Sequence, residues 1–445
     1  MKELGLSETA EDAHALLLQS GFWTTHNNPH PPRFGLSLTS AKSAIDPPPD
    51  EERRDLTQLQ AFAIDNDWSK DPDDAVSIEE CGGKTILYVH VADPASSIGA
   101  DSPVEREARD RGATLYLPDG NFTMLAGQAL SFFALGFQEK SPALTFKVSI
   151  DENGEIDDID IFPSLVKVKS LNYKEADELA EVDSSLRSLH KLAERNMYRR
   201  SSAGAVNIDL PETHIYLDQG HINIEPVVSY RYASVVRECM LLAGEGAAIW
   251  SAGRQFNLDG TMEPLAFPFV SQEAGDLPEI VLPGMAGSYR LRRSMQSRTL
   301  SLKPGVHWGL GLDFYSQVTS PLRRYTDLLA HIQIRSFLRG DKPLSADEIT
   351  VRMGAGEAAA AAVSQAERAS RTHWTMAYLS DKKDSIWDAV ALEKKGNRWA
   401  LIIPALALEV QVSLRKDPAP NDTVKLVLKS VNIPKGEALF AHNEG

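Results

Sequence analysis

The order of strand-like and helix-like segments limits the fold of this chain more than any other feature of its sequence. From about Asp55, short runs of alternating apolar residues typical of strands occur, as at 75–78 and 85–91. Segments with apolar residues at helical spacing follow them. The clearest of these are 177–200, 233–250, 321–338 and 346–380. Strands followed by helices favour an α+β fold.

Both ends of the chain differ from this central part. Residues 7–21 have apolar positions at helical spacing, and the prolines at 47–49 indicate a linker. After Asp384, short alternating runs predict a small antiparallel barrel of the OB type. We therefore expect three regions, which are an N-terminal helical module with its linker (1–45), a central domain (46–383) and a C-terminal barrel (384–445).

Composition limits where the protein acts and what it binds. No segment approaches the roughly 18 consecutive apolar residues of a membrane span, and the N-terminus mixes charges where a secretory peptide needs an apolar stretch. Two cysteines without metal-site spacing fit a reducing compartment, so we expect a cytoplasmic protein with no membrane partner. The net charge of −16 argues against coating nucleic acid over the whole surface, but it allows a channel with local basic residues.

Five aspartates crowd into the segment from Asp65 to Asp74, which connects two predicted strands. Their mutual repulsion is naturally compensated by a hard divalent cation, Mg²⁺ or alternatively Mn²⁺. A calcium loop does not fit, because Lys70 stands where such a loop needs glycine and Val76 where it needs a bidentate glutamate. A solvated acidic loop without a ligand is the other interpretation.

Two adjacent arginines, Arg323 and Arg324, follow Ser320 and Pro321, which we predict to be the N-cap and first residue of a helix. Cations in the first turn of a helix oppose its dipole and therefore need a partner. A phosphate would be held there by backbone donors, the dipole and the guanidinium together. An ordinary salt bridge to a nearby carboxylate is the alternative.

Together, these two segments resemble the RNB domain, the catalytic domain of the ribonuclease II and ribonuclease R family. Segment 64–75 ends in Asp-Asp-Ala, as in that family, and 319–325 matches its Thr-Ser-Pro-(Ile/Leu)-Arg-(Arg/Lys)-Tyr motif. Weaker matches lie between them in the family's order, at 90–93, 111–118, 237–243 and 307–310. The resemblance implies a mixed sheet surrounded by helices and followed by an RNA-binding OB barrel.

The resemblance further implies a 3′ to 5′ exoribonuclease that hydrolyses single-stranded RNA to nucleoside 5′-monophosphates by metal-ion catalysis. It makes Asp65 and Asp74 direct metal ligands, with Asp71 completing the metal set. Asp73 would matter most for the chemical step, and Arg323 would hold the scissile or adjacent phosphate. Two metal ions would suit an in-line attack on phosphorus.

Substrate-binding residues are also implied by the resemblance. Tyr116 would stack on a base near the 3′ end, and Glu367 would lie beside the terminal nucleotide. Arg324 and Tyr325 belong to the same motif as Arg323 and are assigned to substrate binding with it. For Tyr116, a core aromatic beside a turn is the alternative.

Several features depart from the family or lie outside its motifs. Only 64 residues precede Asp65, so we do not expect the two cold-shock barrels that typical members carry, and the N-terminal module is either helix-turn-helix-like or a packing extension. The basic stretch 289–293 could line an RNA path or form a solvated face, and Trp399 is a candidate stacking residue of the barrel. We expect a monomer with no obligate protein partner.

The alternative function is that of an RNA-binding protein on a catalytically inactive RNB scaffold. Loss of one of the four aspartates at 65, 71, 73 and 74 would mark such a protein. All four are present, as is Arg323. The sequence therefore favours the enzyme.

Overall fold

The computed structural model describes residues 7–258 and 261–443, so the first six residues of the predicted N-terminal module and the last two of the predicted barrel lie outside the described residues. The strands are β1 (Arg54–Asp55), β2 (Ala61–Asp65), β3 (Asp74–Cys81), β4 (Lys84–Ala92), β5 (Leu115–Leu117), β6 (Gly120–Phe122), β7 (Ser141–Ile150), β8 (Ile156–Val166), β9 (Val168–Asn172), β10 (Thr213–Asp218), β11 (His221–Pro226), β12 (Gln255–Leu258), β13 (Thr261–Pro264), β14 (Phe269–Gln272), β15 (Arg298–Ser301), β16 (Ile386–Lys395), β17 (Arg398–Ile403), β18 (Leu408–Val412), β19 (Thr423–Asn432) and β20 (Glu437–His442). The α-helices are α1 (Ala10–Gln19), α2 (His30–Arg33), α3 (Pro103–Arg111), α4 (Gln128–Phe133), α5 (Tyr173–Leu179), α6 (Ser184–Ser202), α7 (Arg231–Ala252), α8 (Gly284–Ser294), α9 (Tyr325–Arg339) and α10 (Ala346–Ser380).

A seven-stranded mixed sheet in the order β1-β8-β7-β4-β3-β2-β9 forms the centre of the molecule. Its pairs are antiparallel except β1 with β8 and β2 with β9, which are parallel. Side chains alternate across the sheet, so Phe62 and Ile64 enter the main core with α5, α6 and α7, whereas Ala61 and Ala63 join a smaller apolar cluster. The predicted α+β fold is confirmed.

Most predicted helices occur, with one instructive difference in bounds. Helix α10 spans the predicted residues 346–380, whereas the predicted helix 177–200 is two helices, the second capped by Asp183, whose side chain accepts from the Leu186 backbone N–H. The first of the two helices ends at Leu179, and Asp183 starts the second because its carboxylate accepts a backbone N–H of the first turn that has no partner within the helix.

The predicted start of the helix after Ser320 was wrong, since α9 begins at Tyr325. The residues before it pair with the chain at 112–114, where Thr114 N–H donates to the Arg323 carbonyl (3.0 Å) and Tyr325 N–H to the Gly112 carbonyl (2.9 Å). On its other side Gly112 lies against α10, where only glycine fits because a Cβ would lie 2.3 Å from the Ala360 backbone nitrogen. Both arginines therefore precede the helix.

The C-terminal strands form a nearly closed barrel with the order β18-β17-β16-β19-β20. Trp399 is only 5% exposed and donates from Nε1 to Asp417 (2.9 Å), so it packs in the barrel and presents no stacking face, contrary to expectation. One apolar cluster joins the barrel to the end of α10 and to the β10–β11 hairpin. The barrel thus packs directly on the hairpin that borders the site described below.

The N-terminal segment packs across α10. Asn28 donates to the Ser370 hydroxyl (3.0 Å), and His373 forms a hydrogen bond with the Thr25 carbonyl (3.0 Å). Among the residues described, no helix combines the length and apolar character that a membrane crossing requires.

Candidate active site

The central sheet positions the first pair of carboxylates. Strand β2 ends at Asp65 and the antiparallel neighbour β3 begins at Asp74, so both side chains lie at the same edge of the sheet. Burial and then the nearby Asp65 carboxylate raise the pKa of Asp74 to about 7. The fold therefore holds two acidic groups at a separation where they repel each other.

Asp73 is fixed by the segment that precedes α9. Its carboxylate is 3% exposed and accepts from the Leu322 backbone N–H (2.9 Å) and from Arg323 Nε (3.0 Å). Burial raises the pKa of Asp73 to about 7, although Arg323 and the Leu322 N–H oppose the rise. Asp73 thus connects the segment 65–74, called the acidic loop below, to the segment 319–325, called the arginine motif, across 250 residues of sequence.

The Arg323 guanidinium has hydrogen-bond partners in the protein and is also partly exposed. Besides the ion pair with Asp73, it donates to the Ser320 hydroxyl (3.0 Å), and its side chain remains 41% exposed. The salt bridge considered as the alternative to phosphate binding is therefore present. Because a guanidinium has five donors in a fixed fork, this salt bridge still leaves donors for an anion.

Tyr116, Asp71 and Glu367 form a second group. The Tyr116 hydroxyl donates to the Asp71 carboxylate, and the Tyr116 backbone N–H donates to Glu367 Oε1 (2.9 Å). Burial, followed by the Asp71 charge, raises the pKa of Tyr116, and burial raises that of Glu367. The structure thereby joins residues that lie far apart in sequence, on the acidic loop, β5 and α10.

Two cavities meet at these residues. The carboxylate cavity, of about 570 Å³, contains Asp73, Asp74 and Arg324 in its wall. The aromatic cavity, of about 1190 Å³, contains Asp71, Tyr116 and Glu367. Their shared lining residues are Asp65, Asn66, Ser69 and Arg323. A ligand that extends through both cavities would pass beside Arg323.

The donor set can be compared with what a divalent cation requires. Within 7–258 and 261–443, no three or more His, Cys, Asp or Glu side chains have the arrangement of a metal site. Asp65 and Asp74, however, form a pair of hard oxygen donors on the carboxylate cavity. Mg²⁺ commonly takes one or two carboxylates and completes its shell with water and substrate phosphate, so this pair fits its chemistry.

The remaining predicted residues have separate positions. Arg324 lines the carboxylate cavity and donates to Asp327 Oδ1 (2.6 Å). Tyr325 is 1% exposed, and its hydroxyl donates to Glu105 (2.5 Å). The side chain of Tyr325 lines neither cavity and packs against Gly356 of α10, so the structure assigns it a packing position instead of the predicted contact with substrate.

Several residues of the site escaped sequence reasoning. Burial and then Asp65 and Asp74 raise the pKa of Tyr173, which lines the carboxylate cavity. Trp68 and His214 stack on each other at the aromatic cavity. Trp68 lies within the acidic loop and could have been noticed there, but no sequence signal connects Tyr173 or His214 to that loop.

The predicted basic stretch at 289–293 is engaged in ion pairs. Arg292 pairs with Glu409 (2.5 Å) and Arg293 with Glu393 (2.6 Å), and neither lines the two cavities. These contacts connect α8 to the barrel. They favour the interpretation of a solvated face over an RNA path.

The sequence of this chain is similar to those of known ribonucleases. An uncharacterized ribonuclease of Synechocystis sp. is 30% identical over 99% of this chain and 69% of its own length. Ribonuclease II, chloroplastic/mitochondrial, of Arabidopsis thaliana is 31% identical over 78% of this chain, and the match spans 46% of its length. The chain thus corresponds to about half of that second relative.

Solved structures share the fold at low identity. Mycoplasma genitalium RNase R in complex with ribose-methylated single-stranded RNA has a TM-score of 0.74 at 16% identity, over 98% of this chain and 78% of its own. Yeast Ssd1, described as a pseudonuclease, has a TM-score of 0.68 at 15% identity, over 87% of this chain and 54% of its own. The same fold therefore occurs in a ribonuclease and in a pseudonuclease.

The family model described as the RNB domain matches residues 53–261 and 285–340, more than half of the chain. The matched residues include β2, β3, the acidic loop and the arginine motif, which contribute residues to the wall of the carboxylate cavity. On this match, and on the relative that is 30% identical, the chain belongs to the RNB family.

Proposed function

We propose that this protein is a divalent-metal-dependent exoribonuclease that hydrolyses single-stranded RNA from its 3′ end to nucleoside 5′-monophosphates. The observation that carries the proposal is the position of Arg323, which is held by Asp73 at the point where the carboxylate and aromatic cavities meet. An inactive scaffold that only binds RNA would not need Arg323 to be held by Asp73 at this point. Mg²⁺ is the proposed cofactor, with Mn²⁺ the alternative.

Arg323 and its supports would bind the phosphate to be cleaved. Asp73 and Ser320 fix the guanidinium before substrate arrives, so little reorganisation is needed when charge develops on phosphorus. The ion pair also keeps the buried Asp73 charge compensated. Asp73 is thus a positioning residue for Arg323 in this proposal, and its predicted importance for the chemical step would be exerted through that arginine.

Asp65 and Asp74 would hold the cation. When bound, a divalent cation supplies charge neutralisation at phosphate and makes water more acidic. Ionisation of Asp74 is unfavourable without a positive partner, because the side chain is buried beside Asp65. The role of Asp71 as a third ligand stays a prediction, since its carboxylate is engaged by the Tyr116 hydroxyl.

Tyr116 and Glu367 would position the 3′-terminal nucleotides. The Tyr116 ring lines the aromatic cavity and offers a stacking surface, and Glu367 is held beside it by the Tyr116 backbone N–H. The carboxylate of Glu367 can accept hydrogen bonds from ribose hydroxyls, which distinguish RNA from DNA. These contacts would select RNA over DNA, and single-stranded RNA is the form proposed as substrate.

Other predictions are retained with this proposal. They are a cytoplasmic location, a monomeric state without an obligate protein partner, and the division into an N-terminal module (1–45), a catalytic domain (46–383) and a barrel (384–445). Size-exclusion chromatography with light scattering would test the monomer. Proteolysis followed by mass spectrometry would test the two boundaries, because exposed linkers are cut before packed elements.

A gel time course tests the function. RNA labelled at its 5′ end is incubated with the wild-type protein and Mg²⁺, with EDTA, and in parallel with DNA of the same sequence. We expect shortening from the 3′ end of RNA alone, only with Mg²⁺, and no shortening by Asp73→Asn. Tyr198→Ala, on the exposed side of α6, is the matched control and should act as wild type.

Binding of RNA without shortening under every metal condition would overturn the proposal in favour of the inactive scaffold. Internal fragments from the first time point would instead indicate an endonuclease. Shortening in EDTA would contradict metal dependence while leaving exonuclease activity in place.

A further inference from the structure

Three stacked rings form a shelf at the aromatic cavity. The Trp68 and His214 ring centroids are 4.2 Å apart with an interplanar angle of 16°, and those of His214 and Tyr216 are 5.1 Å apart at 25°. His214 and Tyr216 lie two residues apart on β10, so they share one face of the hairpin. We call these three residues the aromatic shelf.

The shelf ends in an available surface. His214 covers one face of the Trp68 indole, yet Trp68 is 42% exposed. Trp68 also belongs to the loop that carries Asp65 and Asp71, and it lines the same cavity as Tyr116. A planar group stacked on Trp68 would therefore lie in the cavity through which a strand would approach the carboxylates.

Two arginines of α10 line the same cavity as the shelf. Arg368 of α10 is exposed and lines the cavity, and within the described residues it forms no ion pair with a carboxylate. Arg371, one turn further on, donates to the Thr213 carbonyl (2.8 Å) and fixes the hairpin against α10. An open cation in a chain of net charge −16 is suited to bind a phosphate.

We propose that the aromatic shelf is a nucleobase-stacking subsite, in which one base of the RNA strand lies on Trp68 while Arg368 contacts a backbone phosphate. This inference rests on the proposed function and adds a subsite beyond Tyr116. Stacking on an aromatic face tolerates every base, so the subsite adds binding affinity without sequence preference. It secures the strand upstream of the nucleotide being removed.

The test combines base deletion with removal of the indole. A set of RNAs, each with one abasic ribose at successive distances from the 3′ end, is bound to the full chain in EDTA and hydrolysed with Mg²⁺. For wild type we expect one distance, besides any that reports on Tyr116, at which the missing base weakens binding about 5- to 100-fold. Trp68→Ala should weaken binding of intact RNA by a similar factor, with no further loss at that distance.

Two controls separate stacking from a merely structural contact. Trp68→Phe keeps a stacking ring and should retain most of the affinity, and Tyr198→Ala removes an exposed aromatic outside both cavities and should keep the wild-type profile. If Trp68 served only to anchor the acidic loop, Trp68→Ala would lower the hydrolysis rate of the shortest RNAs, which do not reach the shelf, as much as that of longer RNAs.

The outcomes distinguish the two proposals. If the protein hydrolyses RNA normally but Trp68→Ala leaves every abasic position as sensitive as in wild type, the shelf is overturned and the exoribonuclease proposal stands. A chain that hydrolyses no RNA overturns the proposed function first. A wild-type profile with no sensitive distance besides that of Tyr116 overturns the shelf without any variant at Trp68, so the proposal stays testable even if Trp68→Ala does not fold.

Discussion

The two cavities of this protein are built from different chemistry, although they share the wall at Asp65 and Arg323. The carboxylate cavity collects buried acids whose pKa values are raised by their surroundings, at the ends of two adjacent strands. The aromatic cavity collects Tyr116, the aromatic shelf and the open Arg368. One region concentrates unfavourable charge, whereas the other offers ring faces and cations.

This difference indicates a division of labour. Buried acids without compensation cost stability and persist where a ligand or reaction uses them. Ring faces and exposed cations cost little in the folded protein and are suited to holding a strand. Variants of the first cavity should therefore change turnover, and variants of the second should change binding and the position at which degradation stops.

Among the variants that compare the two cavities, the largest effect is expected from Asp74→Asn. Removing this carboxylate breaks up the Asp65–Asp74 pair that would hold the proposed cation, so kcat should fall on the order of 10³-fold, because metal charge stabilisation contributes several kcal/mol. RNA affinity should change no more than about threefold, since the proposed contacts that bind the strand lie in the aromatic cavity. Single-turnover rates and binding in EDTA measure the two quantities, and parallel losses would contradict the division.

Arg323→Lys tests the shared wall. Lysine keeps the charge but cannot reproduce the fork that serves Asp73, Ser320 and a phosphate, so we expect kcat to fall about 10- to 100-fold with a smaller rise in KM. Steady-state kinetics on one RNA of fixed length separates these terms. Unchanged kcat would show that a point charge is sufficient at this position.

Tyr116 tests the aromatic cavity. Tyr116→Ala removes the ring and should weaken binding of short RNAs about 5- to 100-fold, so that degradation stops at a different final length. Tyr116→Phe is the matched control, because it keeps the ring and loses only the hydrogen bond to Asp71. Product ladders on a sequencing gel give the final length, and identical ladders for wild type and Tyr116→Ala would refute the stacking role.

The smallest effect concerns stability and pH. Burial raises the pKa of Asp73 and Asp74 from 3.8 to about 7, so the folded protein holds these protons more tightly than the unfolded chain. Their contribution to stability is therefore present at low pH and is lost as the pH rises through about 7. At pH 8 without divalent cations, Asp74→Asn should raise Tm by a few degrees, as measured by calorimetry.

Mg²⁺ provides the complementary measurement. It should raise the Tm of the wild-type protein at pH 8 and have little effect on Asp74→Asn, because ligands that bind only the folded state stabilise it. Tyr198→Ala should respond to Mg²⁺ as wild type does. An equal rise in Tm for all three proteins would place cation binding elsewhere.

The acidic loop and the arginine motif show how far sequence reasoning reached. The crowding between Asp65 and Asp74 indicated a charged site between strands, and the match at 319–325 indicated the family. The helix start after Ser320 was predicted from local capping preferences, and it was wrong because residues 323–325 pair instead with the chain at 112–114. Local preference is weak where a long-range hydrogen bond competes for the same backbone groups.

By itself, the sequence determined the α+β class, the acidic loop, the arginine motif and the pattern of the barrel. These are properties of neighbouring residues, because strand and helix periodicities and short motifs are local. The tertiary structure alone decided that Asp73 fixes Arg323, that Tyr325 packs in the interior, and that β10 brings His214 onto Trp68. Such contacts join residues far apart in sequence, and only the packing of the whole chain specifies which of them meet.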